Sequence, residues 1–253
     1  MQTDTSSSRS FAFARKPRWI FLHLMVAIAV TLFGVAGFWQ LHRLNERREK
    51  NETIHEGLAS RPIDIDLDRR VPPDFHRVRA DGRYDVDEEI LVRNRSHSGR
   101  GGSNILTPFR FDDGRAVIVN RGWIPPDMVD VPVRAARPPS ERVVIEGILF
   151  PTEPKRPFAP DEPKTGTLDG MNRVNLPRYA KQLPYEIIDS WILLQDQNPP
   201  QDGLPDIIPP PDLSEGSHLV YAIQWFLFIA VALAVYAALL RRESTRPIQT
   251  APD

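Results

Sequence analysis

The feature that most constrains this chain is the apolar run from His218 to Leu240, broken by one strongly polar residue, Gln224. Roughly 20 apolar residues rising 1.5 Å each cross the hydrocarbon of a bilayer. A second run, Trp19 to Leu41, is apolar apart from His23, Thr31 and Gln40. A signal peptide is its competing reading, but an h-region holds about 7–15 apolar residues and leads to a small-residue cleavage site. This run is longer and closes on the bulky Trp39, so a retained anchor is expected. The chain is thus expected to have a tail (1–18), a first span (19–41), an external domain (42–217), a second span (218–240) and a tail (241–253).

Two spans put both termini on one side, and flanking basic residues set which. Gln201 to Ser217 holds Asp202, Asp206, Asp212 and Glu215 with no Lys or Arg, whereas Arg241, Arg242 and Arg246 follow the second span. The first span is ambiguous, since Arg43, Arg47, Arg48 and Lys50 match the basic N-terminal tail. The expectation is cytoplasmic termini and an external central domain.

Composition narrows the chemistry. With no cysteine in 253 residues, disulfides, thiol redox reactions and thiolate metal ligation are excluded. A formal charge of -1 gives no footprint for nucleic acid. Histidine is left as the common soft-metal ligand, at positions 23, 42, 55, 76, 97 and 218. The 25 prolines gather after Pro62 and favour a loop-rich middle over a helical bundle.

Arg43 to Leu58 is rich in helix formers and should prolong the first span as a helix, ended by Pro62. Short β-rich segments follow: Phe75 to Ala80, Ile90 to Arg93, Asn104 to Phe111, Ala116 to Asn120, Arg142 to Phe150 and Trp191 to Gln195. Asp112-Asp113-Gly114 between two extended runs marks a hairpin. Leu176 to Leu183, with Pro177 at its start, reads as a short helix. The fold class expected is an α+β membrane protein, two transmembrane helices bracketing a mainly antiparallel β domain with one or two short helices.

Soluble-enzyme chemistry finds little support. Gly99-Arg100-Gly101-Gly102 leads into a strand, not a helix N-terminus, so it reads as a flexible hairpin loop and not a phosphate cradle. His55, His76 and His97 lack metal-ligand spacing. The spans say more. An ionisable group at a span is a functional candidate, although one at its end can reach the headgroups, and a solvated or capping histidine is the plain alternative for His218. His218, Tyr221 or Ala222, and Trp225 share a helical face, with Gln224 beside them and Trp225 about 10 Å deeper. The first span ends with Gly34, Gly37, Trp39, Gln40, His42 and Arg43, and its glycines permit close helix approach.

Gly37-Phe38-Trp39-Gln40-Leu41-His42-Arg43, Arg77 to Tyr84, Leu106-Thr107-Pro108, Val119-Asn120-Arg121-Gly122-Trp123-Ile124-Pro125 and His218 to Phe226 resemble, in this order, the Surfeit-locus (Shy) family of cytochrome c oxidase assembly factors. The resemblance implies a bacterial inner-membrane protein, not an enzyme, that handles haem a for the largest oxidase subunit, with membrane lipid and a haem a synthesis enzyme as further partners. It implies that His218 ligates haem iron, with Tyr221, Gln224, Trp225, Trp39, Gln40 and Arg43 around the porphyrin between the two helices. A neutral imidazole suits iron. His42 as second axial ligand is a weaker expectation, set against a solvated histidine. Arg121 and Trp123 have two readings, a strand-end ion pair with a packed indole or a docking surface for a partner. One departure is Met171 to Asn175, where the family leads one to expect a more aromatic and acidic segment. The alternative to cofactor handling is a membrane scaffold that holds the immature oxidase subunit.

Overall fold

A computed structural model describes residues 12–66, 71–155, 157 and 162–245. The polar tail before Ala12, Arg246 and part of the proline-rich stretch after Pro151 lie outside the described residues. The chain forms two compact units: the described parts of Met1–Asn51 and Ser214–Asp253, and Glu52–Leu213.

The first unit is a helix pair. Helix α1, Pro17–Ala59, continues past the apolar run through the charged residues. Nothing in Arg43 to Leu58 breaks a helix, and Pro62 follows closely. Helix α3 is His218–Ser244. Both are long and apolar enough to cross a membrane, and few of the residues in their apolar stretches are buried, unlike a core helix of a soluble domain. They run antiparallel: Gln40 meets His218, Phe33 stacks near Trp225 and Phe228, and His23 meets Tyr236. At Gly37 an added Cβ would lie 2.9 Å from the Phe226 ring, so glycine is what lets the helices close there. Beyond the apolar stretch, Arg48 grips Glu215 through two bonds of 2.7 and 2.9 Å, and Arg47 donates to the Ser214 carbonyl.

The second unit is built from eight strands: β1 (Ile63–Asp64), β2 (Arg77–Tyr84), β3 (Ile90–His97), β4 (Arg100–Arg110), β5 (Ala116–Ile124), β6 (Val143–Pro151), β7 (Gly170–Met171) and β8 (Ile187–Asn198), with the one-turn helix α2 (Leu176–Tyr179) before β8. Their order is β1-β2-β6-β8-β5-β4-β3-β7, and the added β2–β4 pairing at Arg83↔Arg110 and Tyr84↔Phe109 closes β2, β6, β8, β5 and β4 into a ring. Most pairs are antiparallel; β1–β2, β3–β7 and β5–β8 are parallel.

Period-two alternation fills the ring. Val78 and Ala80, Val117 and Val119, Val143 and Ile145, and Ile192 and Leu194 point inward to one core. The opposite faces of β3, β4 and β5 are covered too, by Leu168 to Tyr179 on one side and by Val133 and Ala136 on another. Strand β5 is therefore buried along its whole length.

The Asp112–Gly114 hairpin forms as the sequence predicts, with Gly114 at φ 88°. Strand ends differ more. Gly101 and Gly102, expected in a flexible loop, belong to β4, and the β3–β4 hairpin turns instead at Ser98 and Gly99, both at positive φ. A Cβ on Gly102 would lie 2.2 Å from the Ile124 carbonyl, so this glycine serves strand packing. Met171, in the segment that departs from the family pattern, pairs with Val92.

Candidate functional site

Gln40 and His218 form a polar contact where α3 begins. His218 Nδ1 lies 2.9 Å from Gln40 Oε1, and an amide oxygen only accepts, so Nδ1 carries the proton. Nε2 makes no hydrogen bond among the described residues. One ring nitrogen anchored and the other open is the arrangement that metal-ligating histidines adopt. Sequence reasoning set both residues around one cofactor between the helices; the structure joins them directly.

Side chains turn about 100° per helical residue. Measured from the Gln40–His218 contact, Trp39 and Arg43 on α1 and Tyr221 and Gln224 on α3 turn to the same flank of the pair. All four are exposed, Trp39 at 56% and Tyr221 at 48%. Gly37, Ala222 and Phe226 close the other flank. Trp225 does not join the open flank, because its ring is 5.6 Å from Phe33 and 5.8 Å from Phe228 inside the pair. Trp225 and Trp39 therefore face different surroundings, the one beside Phe33 and Phe228 and the other on the open flank.

His42 is separated from the site. It sits about 200° around α1 from Gln40, is paired to Glu46 at 3.2 Å and is largely exposed. Arg43 also reaches Glu46, at 2.5 Å. The described residues contain no group of three or more His, Asp or Glu poised for a metal ion.

A second cluster lies inside the β domain. In β5, Asn120 faces Leu106 and Gly122 faces Ile105, which leaves Arg121 as the extra residue of a bulge. Gly122 adopts φ 140°, and the bulge aims Arg121 into the domain. Its Nη1 donates to Glu89 Oε2 at 2.9 Å, and its Nη2 donates to Gln201 Oε1 at 2.9 Å and to the Ala136 carbonyl. The guanidinium also lies 5.3 Å from the Tyr84 ring. Glu89 accepts further bonds from Thr107 Oγ1 at 2.7 Å and from the Val133 amide at 2.8 Å. Burial lowers the guanidinium pKa, and Glu89 opposes that shift.

Arg121 and Trp123 are each 1% exposed. Trp123 lies under His97 and Arg100, with its backbone bonded in both directions to Asp206 at 2.8 Å. The packed reading of this motif is what the geometry shows, and a docking surface made of these two side chains is ruled out by their burial. Sequence reasoning missed Glu89, Gln201 and Gln197. It had quoted Tyr84 and Thr107 within motifs without seeing that they converge on Arg121.

The comparisons with known proteins agree with this layout. The SURF1 family model matches residues 27–230, from within α1 to within α3. A SURF1-like protein of Mycobacterium tuberculosis is 28% identical over 258 aligned positions, covering 96% of this chain and 92% of the relative. A SURF1-like protein of Rickettsia bellii is 26% identical, covering 90% of this chain and 94% of its own. Surfeit locus protein 1 of Takifugu rubripes is 26% identical over 155 positions, 54% of this chain. Because the family match takes in both helices and all eight strands, the chain belongs to the SURF1 family, known in general as oxidase assembly factors.

Proposed function

We propose that this protein assists assembly of a haem-copper cytochrome c oxidase by holding haem a at His218 on its way to the largest subunit. The observation that carries this reading is the Gln40–His218 hydrogen bond, which anchors Nδ1 and leaves Nε2 unengaged at the end of an apolar helix. The donor set fits the group: bound haem would supply an iron that takes an imidazole nitrogen as a ligand. His218 would ligate it, Gln40 would fix the imidazole, and Trp39, Tyr221 and Gln224 would offer the open flank of the pair as an apolar wall with polar edges. Arg43, whose Nη1 reaches Glu46, would offer its other guanidinium nitrogens to a propionate. The reading includes an inner membrane of a bacterial cell, cytoplasmic termini and a periplasmic β domain, supported by Arg241 and Arg242 in the last turn of α3 against the acidic stretch before it. A haem a synthesis enzyme and membrane lipid complete the expected partners.

The test is to purify the full chain from cells able to make haem a and record its visible spectrum. The haem band is expected in the wild type and absent in folded His218→Ala. An unchanged band in that variant would remove His218 as the ligand.

One observation favours a second reading. The helices close tightly at Gly37 and Phe226, which suits a scaffold that stabilises the immature oxidase subunit with no cofactor of its own. That reading expects His218→Ala to co-purify the subunit as well as wild type and to leave oxidase assembly intact.

A further inference from the structure

A cavity of about 280 Å³ in the β domain is lined by Glu162, Lys164, Asn175, Pro177, Arg178 and Lys181. Arg178 is 7% exposed, yet its guanidinium bonds only to neutral groups: Nε donates to the Pro163 carbonyl at 2.5 Å and Nη2 to the Gly166 carbonyl at 2.6 Å. It has no carboxylate partner among the described residues. Buried charges are as a rule paired. The remaining nitrogen, Nη1, makes no hydrogen bond among the described residues and is not sealed from solvent.

The chain brings two further cations to the same place. The carbonyls that Arg178 holds belong to the residues on either side of Lys164-Thr165, so this loop wraps the guanidinium and sets Lys164 beside it. Lys181 follows Arg178 by three residues along α2 and the helical turn Ala180–Gln182, a spacing that puts both side chains on one face. Both lysines are exposed and without an ion pair among the described residues. The one acid on the wall, Glu162, is held by the Asn175 amide at 3.1 Å. Three cations against one carboxylate leave the lining with two uncompensated positive charges.

That surplus selects the ligand. A phosphoryl group carries a charge of about −1.5 to −2 at pH 7 and three strong acceptor oxygens, whereas a carboxylate brings a single charge. Arg178 supplies a donor already oriented by its two carbonyls, and the lysines, as flexible point charges, close on the anion from the rim. We propose that this cavity binds a phosphoryl group, carried by a lipid headgroup or by a soluble phosphate. The site is independent of the haem reading, since every residue in it belongs to the β domain.

Calorimetric titration of the full chain in detergent micelles, at constant ionic strength, tests this with inorganic phosphate, with short-chain phosphatidic acid and with acetate. Inorganic phosphate should bind saturably and acetate should bind more weakly. The double variant Lys164→Gln, Lys181→Gln should raise the phosphate midpoint at least about tenfold, the factor that one charge-assisted hydrogen bond is worth, while melting as wild type does. Arg178→Gln should abolish binding; should that variant fold poorly, the lysine variant decides alone. Phosphatidic acid binding more tightly than phosphate assigns the site to a lipid headgroup, and equal or weaker binding assigns it to a soluble phosphate. The proposal is overturned if neither phosphate ligand binds, if acetate binds as tightly as phosphate, or if the lysine variant binds phosphate as wild type does.

Discussion

Removing the Glu89 carboxylate should unfold the β domain more readily than any surface charge change. Glu89 is 3% exposed and holds three donors: Arg121, Thr107 and the Val133 amide. In Glu89→Ala the guanidinium stays buried with no counter-charge, a loss of about 3–5 kcal/mol by analogy with other broken buried pairs. The Val133 amide is orphaned too, at about 1–3 kcal/mol, whereas the Thr107 hydroxyl can turn. Even with imperfect additivity the loss should reach about 4 kcal/mol, against about 5–15 for a whole domain. Glu89→Gln keeps the shape and one acceptor, so its loss should be about half. Replacing both partners, Glu89→Met with Arg121→Met, should recover much of the loss, because no charge is then stranded. Urea unfolding followed by tryptophan fluorescence measures all four proteins, Trp123 and Trp191 both being buried reporters. A loss below about 1 kcal/mol for Glu89→Ala would show that water or a rearranged side chain satisfies Arg121, and the account of this motif as an internal ion pair would fail.

Three other outcomes are expected. Gly122→Ala puts a Cβ 2.5 Å from the Asp206 carbonyl oxygen at φ 140°, and should cost at least about 2 kcal/mol and speed amide exchange at Asp206 and Trp123, read by hydrogen exchange. Burial raises the Tyr84 phenol pKa, with Arg121 opposing, so the folded state keeps a proton that the unfolded state releases near its ordinary value of about 10. Stability should therefore fall as pH rises through about 10, and Tyr84→Phe should lessen the slope by about 1.4 kcal/mol per pH unit in melts taken across that range. Gln40→Leu cannot accept from Nδ1, so nitrogen-15 resonances of the His218 ring should shift, and on the proposed haem role haem retention should weaken about 10–100-fold, as when a ligand's supporting hydrogen bond is removed.

What could be read from the sequence depended on how local each signal was. The spans were legible because a bilayer demands a contiguous apolar run, and the Asp112–Gly114 hairpin because its turn chemistry and both strands are adjacent. Strands β1 and β7 were not, since each is a two-residue parallel pair whose partner is remote in sequence. Strand ends fell short wherever burial continued past the apolar residues, as with Arg121 to Ile124 in β5, where a bulge carries a charged residue inward. Glu89 closes the acidic run Asp85-Val86-Asp87-Glu88-Glu89, a pattern that reads as solvated until β4 and β5 are folded over it. Trp225 could be assigned to a helix face, but whether that face met lipid, cofactor or α1 depended on the register of two helices far apart in the chain.

The five motifs that carried the resemblance resolve into two separate constructions. Trp39-Gln40 and His218 to Phe226 meet in the helix pair, whereas Arg77 to Tyr84, Leu106 to Pro108 and Asn120 to Trp123 meet around Arg121 and Glu89. Their physical logic differs. The internal ion pair has nearly every bond satisfied, and disturbing it should lower the amount of folded protein, with activity falling in proportion. The helix-pair histidine has one nitrogen engaged and one open, its flank is exposed, and substituting it removes little packing. His218→Ala should therefore leave the protein level unchanged while altering what it carries or assembles. A specific activity per folded molecule that falls for His218→Ala and holds for Glu89→Gln is the pattern that assigns chemistry to the helix pair and architecture to the β domain; the reverse pattern would move the working site into the barrel.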